Sequence, residues 1–259
     1  MEIIGYLASL FVGVSLGLIG GGGSVLTVPI LVYFFHIEPV LATAYSLFIV
    51  GSTSAVGAAQ KWVKNEINFR VAIIFGLPSV LTVYLIRKLL IPSIPDVLYR
   101  HNDLIVYRGT ATLVFFSLLM IGAAIGILKP QRISRPVLPQ ALGLALLGIT
   151  VGLVSGLLGA GGGFIIIPAL IFYASLEVRH AVGTSLFIIA INSLVGFSGD
   201  ITHHPISWDR LLLISSLAVA GTFAGNWLSA KISGERIRRI FGWFIFLMGA
   251  IILIKELLF

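Results

Sequence analysis

Apolar and polar positions along the chain fall into ten stretches, in two sets of five. Apolar segments run near 3–19, 24–35, 40–59, 70–90 and 110–128, then near 138–158, 164–174, 180–198, 210–230 and 238–256. Most approach the roughly 20 residues with which a helix crosses a bilayer. The second segment of each set falls short, since about twelve helical residues rise ~18 Å against a hydrocarbon core of ~30 Å. Each short segment follows a glycine run, Gly20–Gly23 or Gly161–Gly163, and carries a proline, Pro29 or Pro168, near its start. A missing N–H is tolerated there. The polar stretch "KPQRISRPVLP" (Lys129–Pro139) separates the sets.

The sets are copies of one unit. Pro29 and Pro168 lie 139 residues apart, and at that offset Gly13–Val50 aligns without a gap over Gly152–Ile189. Gly13, Gly17, Gly20, Gly22, Gly23, Pro29, Glu38, Ala42, Ser46, Leu47 and Phe48 all meet identical residues. Glycines alone could match by low complexity; a Pro, a Glu and a Ser-Leu-Phe in one register mark a duplication. The pattern predicts an all-α, polytopic helical membrane protein of two repeats with about five hydrophobic segments each. Residues 1–128 form the first repeat, 129–137 the linker and 138–259 the second, within one membrane domain.

Composition agrees. The chain is 58% hydrophobic and 10% charged, with a mean hydropathy of +1.08, whereas a soluble domain carries roughly a quarter charged residues. The absence of cysteine excludes disulfides and thiolate metal sites. The first segment lacks a basic leader and is read as part of the fold. The net charge of +7 lies mostly between spans, where it sets orientation and meets anionic lipid; no basic run interleaves with exposed aromatics, so no nucleic-acid partner is expected.

Five crossings per half put Lys61, Lys64, Arg70, Lys129, Arg132, Arg135, Arg179, Lys231, Arg236, Arg238 and Arg239 on one side, and Arg87, Lys88, Arg100, Arg108, Arg210 and Lys255 on the other. The eleven should face the cytoplasm, with both termini outside a cell membrane. An odd number of crossings per half inverts the second copy. It thereby brings the glycine turns toward the bilayer midplane from opposite faces. Non-helical backbone survives there only when buried in protein or lining a polar cavity. Helices beginning near Ser24 and Phe164 would present N–H groups and positive dipole ends. Two half-charges about 4 Å from an anion, at an effective dielectric near 20, contribute about 4 kcal/mol. Interrupted segments in corresponding places of two halves point to a transporter's substrate site.

With the glycine turns, the prolines and the paired "TAYSLF" and "VGTSLF" segments, the chain resembles the sulfite exporter TauE/SafE family. The resemblance implies transport of sulfite, sulfoacetate or related small sulfur-containing anions. Tyr45 in the first copy stands where the second has Thr184.

The residues expected to bind substrate are Gly21, Gly22, Gly23, Ser24 and Ser46 in the first copy, and Gly161, Gly162, Gly163, Thr184, Ser185 and Asn192 in the second. Hydroxyl and amide donors hold an oxoanion without a fixed charge, although in membrane helices they equally bond their own backbone or a neighbouring helix. No Lys or Arg is expected inside a span, so no salt bridge to the anion is expected either. Gly13-x-x-x-Gly17 and Gly152-x-x-x-Gly156 also read as helix-packing motifs; a packing or assembly protein is therefore the competing class. An intramembrane enzyme is the third. Gly13-Val14-Ser15-Leu16-Gly17 fits a nucleophile pattern, but no histidine lies within a span. Asp200, His203, His204 and Asp209 could hold a metal, but they read better as a solvated turn. No cofactor and no metal are expected, and the oligomeric state is left open.

Overall fold

The structure, a computed structural model, describes residues 2–20, 22–101, 104–128, 139–203, 205–229 and 234–258. In the first half, α1 (Glu2–Ile19) leads through a 3-10 turn (Gly22–Leu26) into α2 (Thr27–Phe35), followed by α3 (Pro39–Val63) and α4 (Phe69–Leu85). A π-helical turn (Ile86–Leu90) and α5 (Ile91–Ser93) prolong α4, and a hairpin of β1 (Val97–His101) and β2 (Leu104–Tyr107) precedes α6 (Arg108–Leu128). The second half contains α7 (Gln140–Leu158), α8 (Gly163–Tyr173), α9 (Val178–Asp200), α10 (Trp208–Ser229) and α11 (Gly234–Leu258). Among the described residues, six helices are long and apolar enough to cross a membrane. The expected linker 129–137 lies outside the described residues.

Local structure repeats with the sequence. Glu38 and Glu177 occupy the N-cap positions of α3 and α9. Just before them, His36 and Ser175, again 139 apart, both adopt φ 51°. Ile37 N–H donates to the Leu31 carbonyl, and Leu176 N–H to the Leu170 carbonyl. These bonds satisfy carbonyls left over at the ends of α2 and α8.

The two halves pack reciprocally. α1 lies along α10 as α4 lies along α7, and α3 pairs with α9 as α6 pairs with α11. A Cβ added at Gly51 would meet Leu194 and one at Gly57 would meet Leu186, so α3 and α9 run antiparallel. The same holds for α6 and α11, where Gly242 faces Leu128 and Gly249 faces Met120. α1 and α10 run parallel, because Gly13 abuts Ala218 and Gly17 abuts Thr222. α10 is in turn parallel to α3, through Tyr45 with Ser207 and Gln60 with Asn226. With α1 and α3 pointing the same way, the segment between them must cross back. Gly5 beside Phe35 and Gly23 beside Ser15 confirm that Gly22–Phe35 retraces α1.

Glycine makes these approaches possible. Gly13, Gly17, Gly148 and Gly152 each bring backbone carbonyls of the facing helix where a Cβ would stand, and Gly156 abuts Ile86 and Val83, so both Gly-x-x-x-Gly motifs lie at helix contacts. In lipid, association depends on such close contact more than on hydrophobicity. α3 and α9 are the most buried spans and form the centre. At the end of α3, burial pushes the Glu66 carboxyl up. The hydrogen bond from Lys61 and the charges of Lys61, Lys64 and Arg179 outweigh that and hold it below the usual carboxylate range.

Candidate functional site

The two glycine turns differ. In the second, Gly159, Gly161 and Gly162 have φ of 69°, 65° and 71°, a left-handed backbone that other residues enter at a cost of about 1–3 kcal/mol. Two of the three glycines in the run Gly161–Gly163, and Gly159 just before it, thus have a backbone reason beyond packing. In the first, Gly20 has φ 71° and the chain continues as the 3-10 turn. The helix expected to start near Ser24 does begin there, as the 3-10 turn in which Ser24 is buried, and becomes α-helical only at Thr27. The difference has a local cause, since Gly23 must pass against Ser15 and the Leu16 backbone. Gly22 opens the 3-10 turn; Gly21 lies outside the described residues.

The turns start toward opposite ends of the α3–α9 pair and lead inward. Gly20 abuts Val182 and Gly159 abuts Thr43, each near the start of its long helix; Gly161 has moved inward to Val50, Ile189 and Ser193. The 3-10 turn and α8 are in contact, so the segments after the two turns meet. The first bonds of α8 run from the N–H groups of Ile165 and Ile166 to the Gly162 carbonyl. The N–H groups at Gly163 and just beyond are those a helix start leaves for other partners.

Around this region lie buried polar atoms with no hydrogen-bond partner: the hydroxyls of Thr27, Ser46, Ser54, Ser155 and Ser193, and Asn192 Oδ1. A Cβ at Gly161 would lie 3.2 Å from Ser193 Oγ, and one at Gly162 would lie 3.7 Å from Ser155 Cβ. A buried polar group left unpaired costs about 1–3 kcal/mol, so such a group calls for an explanation. Ser46 and Asn192 are among the residues expected to bind substrate, and Ser54 and Ser193 are polar residues within the spans that the sequence also sets in equivalent places. Ser155 has no such counterpart, since Leu16 stands at its equivalent position.

Other expected residues have partners in the fold. The Thr184 hydroxyl accepts from the Asn68 N–H at 2.9 Å, fixing the turn before α4. Ser185 Oγ donates to the carbonyls of Val182 at 2.8 Å and Gly20 at 3.2 Å, pinning the first glycine turn to α9. Asn192 Nδ2 donates to Ser79 Oγ at 2.7 Å, tying α9 to α4. Tyr45 also has a structural task, its hydroxyl accepting from the Ser207 N–H at 2.7 Å.

Two expectations are overturned outright. Arg87, expected in an outer loop, sits in the π turn that prolongs α4 and is 0% exposed. Its Nη1 donates to Asp200 Oδ2 at 3.0 Å and to Thr43 Oγ1 at 2.9 Å. Asp200, expected in a solvated turn, ends α9 in the interior. Each charge is bearable there because the other is within reach. Among the described residues no cluster of three or more His, Asp or Glu could hold a metal. His204 lies outside them, and Ser15 Oγ simply donates to the Val12 carbonyl.

The family model for "Sulfite exporter TauE/SafE" matches residues 5–252. The chain belongs to that family. It is 30% identical over 243 residues to a "Probable membrane transporter protein" of Xylella fastidiosa (strain 9a5c), covering 89% of this chain and 87% of the relative. It is 29% identical over 248 residues to the "Probable membrane transporter protein YdhB" of Bacillus subtilis (strain 168), covering 95% and 96%. A further probable membrane transporter protein, of Methanocaldococcus jannaschii, is 25% identical over 268 residues. No solved structure matches the chain. This TauE/SafE protein is an integral membrane transporter.

Proposed function

We propose that this transporter exports a small sulfur-containing oxoanion, sulfite or a short organosulfonate, bound between α3 and α9 beside the glycine turns. The observation that carries the reading is the pair of buried, unpaired hydroxyls of Ser193 beside Gly161 and Ser155 beside Gly162, with those of Ser46 and Ser54 one helical turn either side of Val50, which itself abuts Gly161. Hydroxyl and backbone N–H groups are directional donors of partial charge, and they suit an anion whose oxygens splay outward. A cation would call for carboxylates or helix C-termini, and a packing protein has no use for unpaired polar atoms. The proposed ligands are Gly21, Gly22, Gly23, Ser24, Ser46, Gly161, Gly162, Gly163, Thr184, Ser185 and Asn192, joined by Ser54, Ser155 and Ser193. Labelled sulfite should leave proteoliposomes, with sulfoacetate and thiosulfate competing and chloride competing poorly for lack of splayed acceptors. Failure of every sulfur oxyanion to move or compete, with movement of a metal cation instead, overturns the assignment.

We further propose that residues 1–128 and 138–259 are inverted-topology repeats with both termini outside. The antiparallel contacts of α3 with α9 and of α6 with α11 support this, and so do the loop charges. With Arg87 inside the protein, the basic residues split eleven to five. Because the chain has no cysteine, single cysteines can be labelled with an impermeant maleimide in whole cells. Ser134→Cys and Gly234→Cys should be shielded and His203→Cys should react. Labelling of positions 134 and 203 from the same side ends the inverted-repeat reading.

A further inference from the structure

We infer that Arg87 is an anion-binding residue, the Nε/Nη2 edge of its guanidinium forming a docking fork for an oxoanion on its way to the second glycine turn. Nη1 alone makes the bonds to Asp200 and Thr43. Nε and Nη2 are buried and meet no partner. That edge presents two parallel N–H groups in the geometry that grips a carboxylate, phosphate or sulfur oxoanion with two bonds. Two donors of a buried cation without acceptors are expensive to maintain.

The position suits a station on a path. Thr43, which accepts from Arg87, lines a cavity of about 170 Å³ with Val40, Ile91, Leu157 and Arg108. The backbone of the same Thr43 abuts Gly159 at the head of the second glycine turn. Thr43 thus touches Arg87, the cavity and the head of the turn, and Arg87 is one hydrogen bond away from both. Arg108 also lines a larger neighbouring cavity of about 520 Å³, together with His36, Lys255, Glu38, Asp96 and Glu256. The π turn that carries Arg87 is itself a distortion found frequently at functional sites.

The repeat supplies an internal comparison. Residue 226, equivalent to Arg87, is an asparagine bonded to Gln60, next to the equivalent of Asp200. At the other end of the bundle an uncharged amide pair therefore joins the equivalent helices, α10 and α3. Packing requires no charge at this place, so the guanidinium calls for another reason. Asp200 explains how a buried cation can serve a transporter: it offsets most of the charge, so the anion is held by N–H geometry and can leave.

The inference rests on the oxoanion reading, and the test separates the two. Sulfite is titrated into purified protein by calorimetry, and sulfite efflux is followed in proteoliposomes. Arg87→Gln with Asp200→Asn removes both charges while keeping shape, which avoids stranding a buried carboxylate. That double variant should keep the wild-type elution profile and melting temperature. Its Kd and KM for sulfite should rise by about tenfold or more, the loss expected when a bidentate charge-assisted contact is removed. Arg87→Lys keeps the charge and the partner but not the fork, and should weaken sulfite similarly. A folded double variant with wild-type Kd and KM overturns the inference; if that variant does not fold, wild-type affinity in Arg87→Lys overturns it. Wild-type protein that neither binds nor moves any sulfur oxyanion defeats the substrate reading, and this inference with it. Wild-type transport with unchanged variants defeats this inference alone.

Discussion

Gly161→Leu is expected to stop transport while leaving the protein in the membrane. At φ 65° a Cβ is already strained, and it would stand 2.8 Å from Val50 Cγ1, 3.1 Å from Ile189 Cγ2 and 3.2 Å from Ser193 Oγ. A leucine side chain has nowhere to go except into the space between the turn and the unpaired hydroxyls. The backbone strain costs about 1–3 kcal/mol, which the spans can absorb, because leucine favours insertion. Gly161→Ala meets the same φ with less bulk and should retain partial activity. The measurement is sulfite efflux per mole of monodisperse protein. A folded Gly161→Leu protein working at the wild-type rate removes this turn from the path. Gly22→Leu is expected to behave likewise in the first turn.

Gly152→Leu should act on assembly. A Cβ there would lie 2.6 Å from the Ser79 carbonyl oxygen and 2.8 Å from Thr82 Cβ; the backbone oxygen cannot rotate away. α4 and α7 must part, at an overpacking cost of about 1–3 kcal/mol or more. α4 carries Ser79, which holds Asn192, and leads into the turn that carries Arg87, so the central polar contacts shift with it. The melting temperature in detergent and the monodisperse yield should both fall sharply. Gly126→Leu is the control, because nothing lies within 4 Å of a Cβ at that position; its effect should stay within about 0.5 kcal/mol. Equal tolerance of the two substitutions contradicts the close approach of α4 and α7.

Much of the architecture was legible in the linear chain. The apolar stretches near 40–59 and 180–198 became α3 and α9, and the shortness of the segments after the glycines became the 3-10 turn with α2 and the short α8. The site was less legible. Thr184, Ser185 and Asn192 look alike in sequence as small polar groups within an apolar run, yet the fold assigns them to Asn68, Gly20 and Ser79. Ser54, Ser155 and Ser193 look no different and are left without partners. A hydroxyl's role depends on what faces it from another helix, and no window of adjacent residues contains that information.

Membership of lipid, the duplication at 139 residues and the glycine turns were determined by the sequence itself. Each rests on a property carried locally: side-chain hydrophobicity, residue identity in register, and the left-handed backbone that glycine alone enters cheaply. The tertiary structure decided the fate of charge. Arg87 next to Lys88 looks like a loop, because an isolated cation in an apolar segment is costly to dehydrate. It lies inside because Asp200, 113 residues away, arrives on the end of α9 and offsets that cost. Burial of a charge is a property of the pair, and the pair exists only once the two halves have packed.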